Sequence, residues 1–592
     1  MFNNLIFDFD NTLYDYSHCY NEALNTVFIY LQEKLKINIE DIKYQFQQQK
    51  KLIQNSINNQ ASSHNKCIQF KKIVEFYHLP VEEAIVLYDL FIDNFNKHLK
   101  LYDYVEDFLK ICIDNNIKCF LLTNNICYEQ LFRLKKLNLC KYFTKIYTSE
   151  ELGTEKPDPK IFNTILQENN IQKNEVAMIG DSFNMDIESV NLLNIYGFWF
   201  QNKLNNNIHL DFKENHCIFS KYSTLITFFK EYYYEASKFI KLSTFCGERY
   251  DLVQAGGGNI SFKINDFLFI KSSGCLLSDM DYNKNYVGLC RNTILNNLDF
   301  IKNENKKSRE KEAKNIVDSS IYFLKNYKPS IETTMHSLTK KYTVHLHPLQ
   351  FLKICALDNC EALLKEHFKH FCFIEYFTPG IDVALELKKK YLDVNHESHE
   401  SHESHENHEN NKDIIFLKNH GIVLTKNTIE ELYLLLEEVI NILEKLIQLD
   451  FKKYKLTNYI SKLMNTITNE NTISFVCDDS LIINLYNHII NLKPYFPDKL
   501  VYCGTELVIL EYIYEKDIDL IKNYMKMNSE IPKIFYLQEN IYINSNSLKK
   551  CIEIESLLKS HLLCYNENNI ILSEQENNYL NNWDAEKFRK KI

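Results

Sequence analysis

Two groups of residues in this chain have the types and spacing that chemistry needs. Near the start, Asp8-Phe9-Asp10-Asn11-Thr12 sets two carboxylates two residues apart, directly after the apolar run Leu5-Ile6-Phe7. Much further along, His345-Leu346-His347 sets two imidazoles two residues apart, with Glu332 before them and His420 after them. The first group suits phosphoryl transfer through a carboxylate nucleophile. The second suits a metal ion that keeps an open ligand position beside a base.

In the first group, Asp8 can attack phosphorus and form an aspartyl-phosphate. Asp10 can protonate the leaving oxygen and then activate water, provided the strand end bends into a loop that turns both carboxylates the same way. Thr123, closing the apolar run Cys119-Phe120-Leu121-Leu122, offers a hydroxyl to phosphoryl oxygens. Lys156, in Gly153-Thr154-Glu155-Lys156-Pro157-Asp158-Pro159, can neutralise the phosphate and the nucleophile. Asp181 and Asp186, in Gly180-Asp181-Ser182-Phe183-Asn184-Met185-Asp186, are expected to join Asp8 and Asp10 around Mg²⁺, which takes carboxylates together with phosphate oxygens and water. The plain alternative is a set of strand-end caps without chemistry.

In the second group, Thr343-Val344-His345-Leu346-His347 alternates as a strand, so the two imidazoles share a face. A further apolar run, Ile414-Ile415-Phe416-Leu417, leads to Asn419-His420-Gly421. Three histidines leave a fourth zinc position for substrate or water, as in catalytic sites. Upstream lie three loops that can approach an anion: Gly256-Gly257-Gly258-Asn259-Ile260-Ser261, Lys271-Ser272-Ser273-Gly274 and Pro329-Ser330-Ile331-Glu332. The first spends three of the chain's 12 glycines, and its bland reading is a tight hairpin.

The elements that must hold these residues follow from periodicity. Residues 16–100 carry apolar positions at helical spacing. Strand-like runs then alternate with helical segments up to Val176-Ala177-Met178-Ile179. That alternation predicts a parallel sheet with its ligands at the carboxyl ends of the strands. The pattern turns helical again at 225–245, and Glu430–Val439 reads as an amphipathic helix. Residues 455–592 read as a mixed α/β extension without a catalytic constellation, and Trp583 as a core tryptophan. The tract running from His396 through His408, with its five histidines at period three, reads as a disordered surface loop over 395–411 that carries no catalysis.

Composition bounds the function classes. A chain of 592 residues holds several domains, and its 45% hydrophobic content can build ordinary cores. The net charge of −10 supplies no basic field for nucleic acid. There is no apolar run of membrane-spanning length and no secretion pattern at the start. Seventeen cysteines without CxxC pairs read as reduced thiols of a cytoplasmic protein.

The DxDxT run, the strand-terminal Thr123, the Lys156-Pro157-Asp158-Pro159 run and the Gly180–Asp186 motif, in that order, resemble the haloacid dehalogenase superfamily of phosphatases over residues 1–225. The resemblance implies Asp8 as nucleophile, Asp10 as acid/base, and 16–100 as a helical cap that closes over small substrates. An aspartate at Asp10 implies a phosphatase or phosphomutase and not a dehalogenase. Residues 232–450 resemble the class II aldolase/adducin family, and with 455–592 its long rhamnulose-phosphate-aldolase-like members. That resemblance implies Zn²⁺ on His345, His347 and His420, with Glu332 as general acid/base. It also implies a substrate phosphate gripped by Asn259, Ser272, Ser273 and Ser330. The ion would polarise a ketone and stabilise an ene-diolate. Such aldolases often take a tyrosine from a neighbouring subunit, so a homo-oligomer is expected through this region.

The combined expectation is an α/β chain: a doubly wound parallel sheet with a helical cap, then an aldolase-like α/β domain, then an α/β extension. Its function is expected to be bifunctional and its ligands sugar phosphates, with neither nucleic acid nor membrane as partner. Two alternatives stand beside it. One is a pentulose-phosphate epimerase or dehydratase fused to a phosphatase, a pairing known in methionine salvage, where the phosphatase is of a different type. The other is a non-catalytic adducin-like scaffold.

Overall fold

The computed structural model describes residues 2–57, 60–202, 210–282, 284–301, 306–396, 413–486, 493–566 and 568–582. The His/Glu/Ser tract beyond His396 and Trp583 lie outside the described residues. The chain divides into two compact units: Met1–Glu235 with Ile321–Asn326, and Ala236–Ser320 with Tyr327–Ile592.

The first unit is built on a seven-stranded sheet. Its strands are β1 (Asn4–Phe7), β2 (Lys118–Thr123), β3 (Lys145–Thr148), β4 (Val176–Gly180), β5 (Tyr196–Phe200), β6 (Asp211–Phe212) and β7 (His216–Phe219). They lie in the order β3-β2-β1-β4-β5-β7-β6, parallel throughout except for the β6–β7 pair. The chain winds outward from β1 in both directions, so the switch point falls between β1 and β4, where open sheets of this kind bind ligands. All four residues of β1 and all five of β4 are buried, which is why both read as unbroken apolar runs. This is the doubly wound parallel sheet expected from the sequence.

Four of the helices between β1 and β2, Tyr16–Leu35, Ile39–Ser56, Lys66–Phe76 and Glu83–His98, stand where the helical cap was expected. The first three start on side chains that accept a backbone N–H: Asp15 from His18, Asn38 from Glu40 and Asn65 from Ile68. Their shared core is a run of rings, Phe28 on Phe46, Phe46 on Phe70 and Phe70 on Phe91, with centroids 5.4 to 6.0 Å apart. The short strand β11 (Ile321–Phe323) counts with this unit, where Phe323 packs on Phe2 and Tyr196.

The second unit carries β8 (Asn259–Ile264), β9 (Phe267–Lys271), β10 (Tyr286–Cys290), β12 (Tyr342–Leu346), β13 (Cys372–Ile374), β14 (Ile414–Leu417) and β15 (Gly421–Lys426). They run in the order β10-β9-β8-β12-β15-β14-β13, antiparallel except for β13 with β14. β12 is central, and His345 lies opposite Asn259 on one side and Val423 on the other. A second sheet, β16 (Ile473–Val476), β17 (Val508–Ile509), β18 (Ile534–Leu537) and β19 (Asn540–Ser545), is ordered β16-β19-β18-β17. Its core includes Ile460, Leu463, Ile521, Phe535 and Tyr542. Among the described residues no helix is long and apolar enough to cross a membrane. All seventeen cysteines are free thiols.

Glu248 ties the two sheets' helices together inside this unit. It follows the helix Tyr222–Gly247 and is buried. Its carboxylate accepts from Ser461 Oγ at 2.6 Å, from the Ser474 backbone N–H at 3.0 Å and from the Asn458 amide. Burial nevertheless pushes it up to about 7 from an ordinary 4.5. The folded chain therefore holds this proton more tightly than the unfolded chain does. Stability from this group is complete below pH 4.5 and falls as pH rises to about 7. The loss approaches about 3 kcal/mol. Thermal melting between pH 5 and pH 8 should show the decline, and Glu248→Gln should flatten it. An unchanged slope in the variant refutes the assignment.

Candidate active sites

Three acidic side chains meet at the carboxyl ends of β1 and β4. Carboxylate oxygens of Asp8, Asp181 and Asp186 all lie within 4.8 Å of one another. Lys156 Nζ sits between two of them, 2.6 Å from Asp8 Oδ1 and 2.7 Å from Asp186 Oδ1. Burial, relieved in part by Lys156 and increased by Asp186 and Asp181, holds the Asp8 carboxyl well above its usual range. Burial and Asp186 push Asp181 up to about 6. Burial opposes the Lys156 charge, but Asp186 and Asp8 outweigh it and hold the ammonium above its usual value. Three crowded carboxylates facing one ammonium form a donor set that fits a divalent cation such as Mg²⁺.

Local structure explains the convergence. The backbone turns after Phe9: Leu13 N donates to Phe9 O at 3.0 Å, and Asn11 takes a left-handed φ of 62°. Thr12 then points back, donating to Asp8 Oδ2 at 2.7 Å and accepting from the Asp181 N–H at 3.0 Å. Asn124 brackets Lys156, accepting its N–H and donating to its carbonyl, both at 2.8 Å. A Cβ on Gly180 would collide with the Asp186 side chain, so this position must lack one.

Asp10 is placed differently from the expectation. It was expected among the Mg²⁺ ligands as well as in the acid/base role, but its carboxylate lies outside the three-acid cluster. It accepts instead from Tyr14 Oη at 2.5 Å, Gln130 Nε2 at 3.0 Å and Asn125 Nδ2 at 3.2 Å. Arg133 stands 3.8 Å away. These donors hold Asp10 toward the helix Cys127–Lys136 and out of the cation pocket. Gln130 also donates to Thr123 Oγ1 at 2.8 Å, so one amide links the expected acid/base to the expected phosphate hydroxyl.

The second site gathers on β12 and the turn before β15. Ligand nitrogens of His345, His347 and His420 lie within 4.8 Å of one another. His345 Nδ1 is 3.1 Å from the Ile422 carbonyl, which can only accept, so its proton is on Nδ1 and Nε2 presents a lone pair. That Nε2 is 3.1 Å from His347 Nε2 and 3.4 Å from Glu332 Oε1. His420 Nε2 is also 3.4 Å from Glu332 Oε1. Burial, aided by His347, pushes His345 down to about 3, and burial with His345 pushes His420 down to about 4. Neutral imidazoles aimed at one point suit a zinc ion. Glycines make room for them: a Cβ on Gly257 would sit 3.0 Å from His347 Nδ1, and one on Gly421 would sit 2.7 Å from His347 Cδ2 and inside contact with the Leu346 carbonyl.

Of the four residues expected to grip a phosphate, Asn259 and Ser330 contact Glu332 directly. Asn259 Nδ2 donates to Glu332 Oε2 at 2.6 Å, and Ser330 Oγ accepts the Glu332 N–H at 3.2 Å. Ser273 N donates to the Lys328 carbonyl at 2.8 Å, laying one loop along the other. Ser273 and Ser330 share a cavity of about 640 Å³. The Ser272 hydroxyl is engaged with Cys275 Sγ at 3.1 Å. Sequence reading missed Asn124, Gln130 and Arg133 altogether, and quoted Thr12 without giving it a role. Asn124 could have been suspected from its place directly after the strand-ending Thr123, but Gln130 and Arg133 carry no motif.

Residues 5–198 match the family described as haloacid dehalogenase-like hydrolase, and residues 240–447 match the class II aldolase and adducin N-terminal domain. A ribulose-1,5-bisphosphate 5-phosphatase of Halopiger xanaduensis is 25% identical over 195 residues, 32% of this chain and 81% of that protein. A pyrimidine 5'-nucleotidase of Streptococcus pneumoniae is 27% identical over 201 residues, 33% of this chain and 82% of that protein. The N-terminal class II aldolase domain of a conserved Thermoplasma acidophilum protein is 21% identical with a TM-score of 0.28, covering 42% of this chain and 98% of that one.

Gly421 offers a test that touches no ligand atom. Gly421→Ala forces the β15 turn away from Leu346 and His347, with a cost of about 1–3 kcal/mol. The variant should melt lower and carry well under one zinc per chain by elemental analysis of the purified protein. Full zinc content at unchanged melting temperature contradicts the crowding argument.

Proposed function

From a chain that joins a haloacid dehalogenase-like hydrolase domain to a class II aldolase and adducin-type domain, we propose a bifunctional sugar-phosphate enzyme. Its first site hydrolyses a phosphate ester. Its second makes or breaks a carbon–carbon bond in a phosphorylated ketose. The observation that carries the reading is the pairing of two complete residue sets: Lys156 between Asp8 and Asp186, and three imidazoles around Glu332. The Halopiger relative, by its name, acts on a phosphorylated ketose, which supports that substrate class for the first site.

In the first site an Asp8 oxygen attacks phosphorus and the ester P–O bond breaks, leaving an aspartyl-phosphate. Asp10 gives the departing alkoxide a proton, then takes one from the water that releases phosphate. Lys156 stabilises charge on Asp8 and on the phosphoryl oxygens. Asp8, Asp181 and Asp186 would hold Mg²⁺, which when bound offsets the negative charge of phosphate facing three carboxylates. In the second site His345, His347 and His420 would hold Zn²⁺, which when bound polarises the ketone. Glu332 moves the proton at the neighbouring carbon or hydroxyl, and Asn259 fixes its carboxylate through Oε2. Phosphate ester hydrolysis is strongly downhill, so coupling it to a reversible aldol step draws condensation forward.

Separate assays test the two halves. Purified protein given dihydroxyacetone phosphate and a panel of aldehydes should yield new ketose and free phosphate, with mass spectrometry distinguishing lyase, epimerase and dehydratase products. Asp8→Asn should lower phosphate release by about a thousandfold or more and spare the carbon–carbon step. His345→Ala should do the reverse. Loss of both activities in either variant argues against two independent sites.

A further inference from the structure

The helical insert of the first unit holds two ammonium groups whose hydrogen-bond partners are neutral. Lys66 is 4% exposed and opens the helix Lys66–Phe76, where a cation opposes the helix dipole. Its Nζ donates to a neutral acceptor, the His64 carbonyl, at 2.8 Å. Lys50 Nζ stands 3.5 Å from Tyr20 Oη. Both ammoniums lie over the Tyr20 ring, 5.2 Å from its centroid for Lys66 and 5.4 Å for Lys50. Among the described residues neither makes an ion pair, although each loses hydration on burial.

Contacts lead from this pair to the reacting groups by two routes. Tyr20 stacks on Tyr16 at 5.6 Å, Tyr16 lies 5.5 Å under the Arg133 guanidinium, and Arg133 is 3.8 Å from Asp10. By the other route, His64 Nε2 is 3.1 Å from Glu155 Oε1, one residue before the Lys156 that holds Asp8. Glu129 pairs directly with Arg133 at 2.8 Å and reaches Lys66 only at longer range. Burial, opposed by Glu129 and aided by Lys50 and Arg133, pushes Lys66 down to about 8, which leaves it mostly cationic at neutral pH.

We propose that Lys50 and Lys66 form a distal anion site, and that the phosphoryl-transfer site takes phosphoesters carrying a second anionic group. One phosphate faces Asp8, and the other phosphate or carboxylate of the same small molecule meets the lysine pair. This rests on the phosphoryl-transfer function proposed above and narrows its substrate class.

The test compares kcat/KM of the full chain for a ketose bisphosphate, the matching monophosphate and a phosphosugar acid. The bisphosphate should exceed the monophosphate by about tenfold or more. The phosphosugar acid shows whether a carboxylate can replace the second phosphate. Lys66→Met and Lys50→Met should each collapse that ratio through KM. Lys50 is the less buried of the two, so its variant serves if Lys66→Met fails to fold. Equal rates on both esters, or a ratio that survives both variants, overturns the proposal. If no ester is hydrolysed, the phosphoryl-transfer function fails, and calorimetric titration with the bisphosphate then decides the distal site. Binding heat that disappears in Lys66→Met upholds it, and no heat with the unaltered chain sinks it.

Discussion

The N-terminal site depends on one buried cation held between buried anions. Asp8, Asp181 and Asp186 crowd into one pocket, and their mutual repulsion works against folding. Lys156 Nζ offsets part of it by touching two of the three. Taking one partner from such a group leaves an uncompensated charge, at a typical cost of about 3–5 kcal/mol. The lysine is correspondingly well anchored, with Asn124 holding both polar groups of its backbone. Thr12 locks the other oxygen of Asp8, so this carboxylate has its orientation set on both sides.

The histidine site solves the opposite electrostatic problem. Its three imidazoles are kept neutral by burial, and the single acid among them, Glu332, is steered by Asn259 through one oxygen and left with the other facing two imidazoles. In both sites the backbone yields space to side chains. Gly180 lets Asp186 fold back over β4, and Gly257 and Gly421 let His347 lie against main chain. These glycines act through missing volume at a close approach, and none of the three has a positive φ.

The parts of the fold visible in the sequence are those set by local pattern. The apolar runs at Leu5–Phe7 and Val176–Ile179 are buried parallel strands because both faces are covered, and strand ends followed by acids mark the ligand side. Alternation at Thr343–His347 gave the shared face of two histidines. Two things were hidden. The partners of Asp10 come from Tyr14 and from a helix 120 residues on, and no short motif links them. The strand directions in the second unit were also hidden, because alternation along β8 and β12 fixes which side chains share a face and is the same for either direction of pairing.

The C-terminal quarter has no motif of its own, yet Glu248 gives it a necessary place. The carboxylate belongs to the segment leading to Leu252, whose carbonyl accepts from the His347 N–H at 3.1 Å. All three donors that solvate Glu248 come from residues 458–474. A shortened chain ending near 450 would lose these donors together with the segment packed against the acid, a few residues from the backbone that seats His347. Residues 458–474 thus give a polar lining to a buried acid whose own segment runs on to the backbone beside His347.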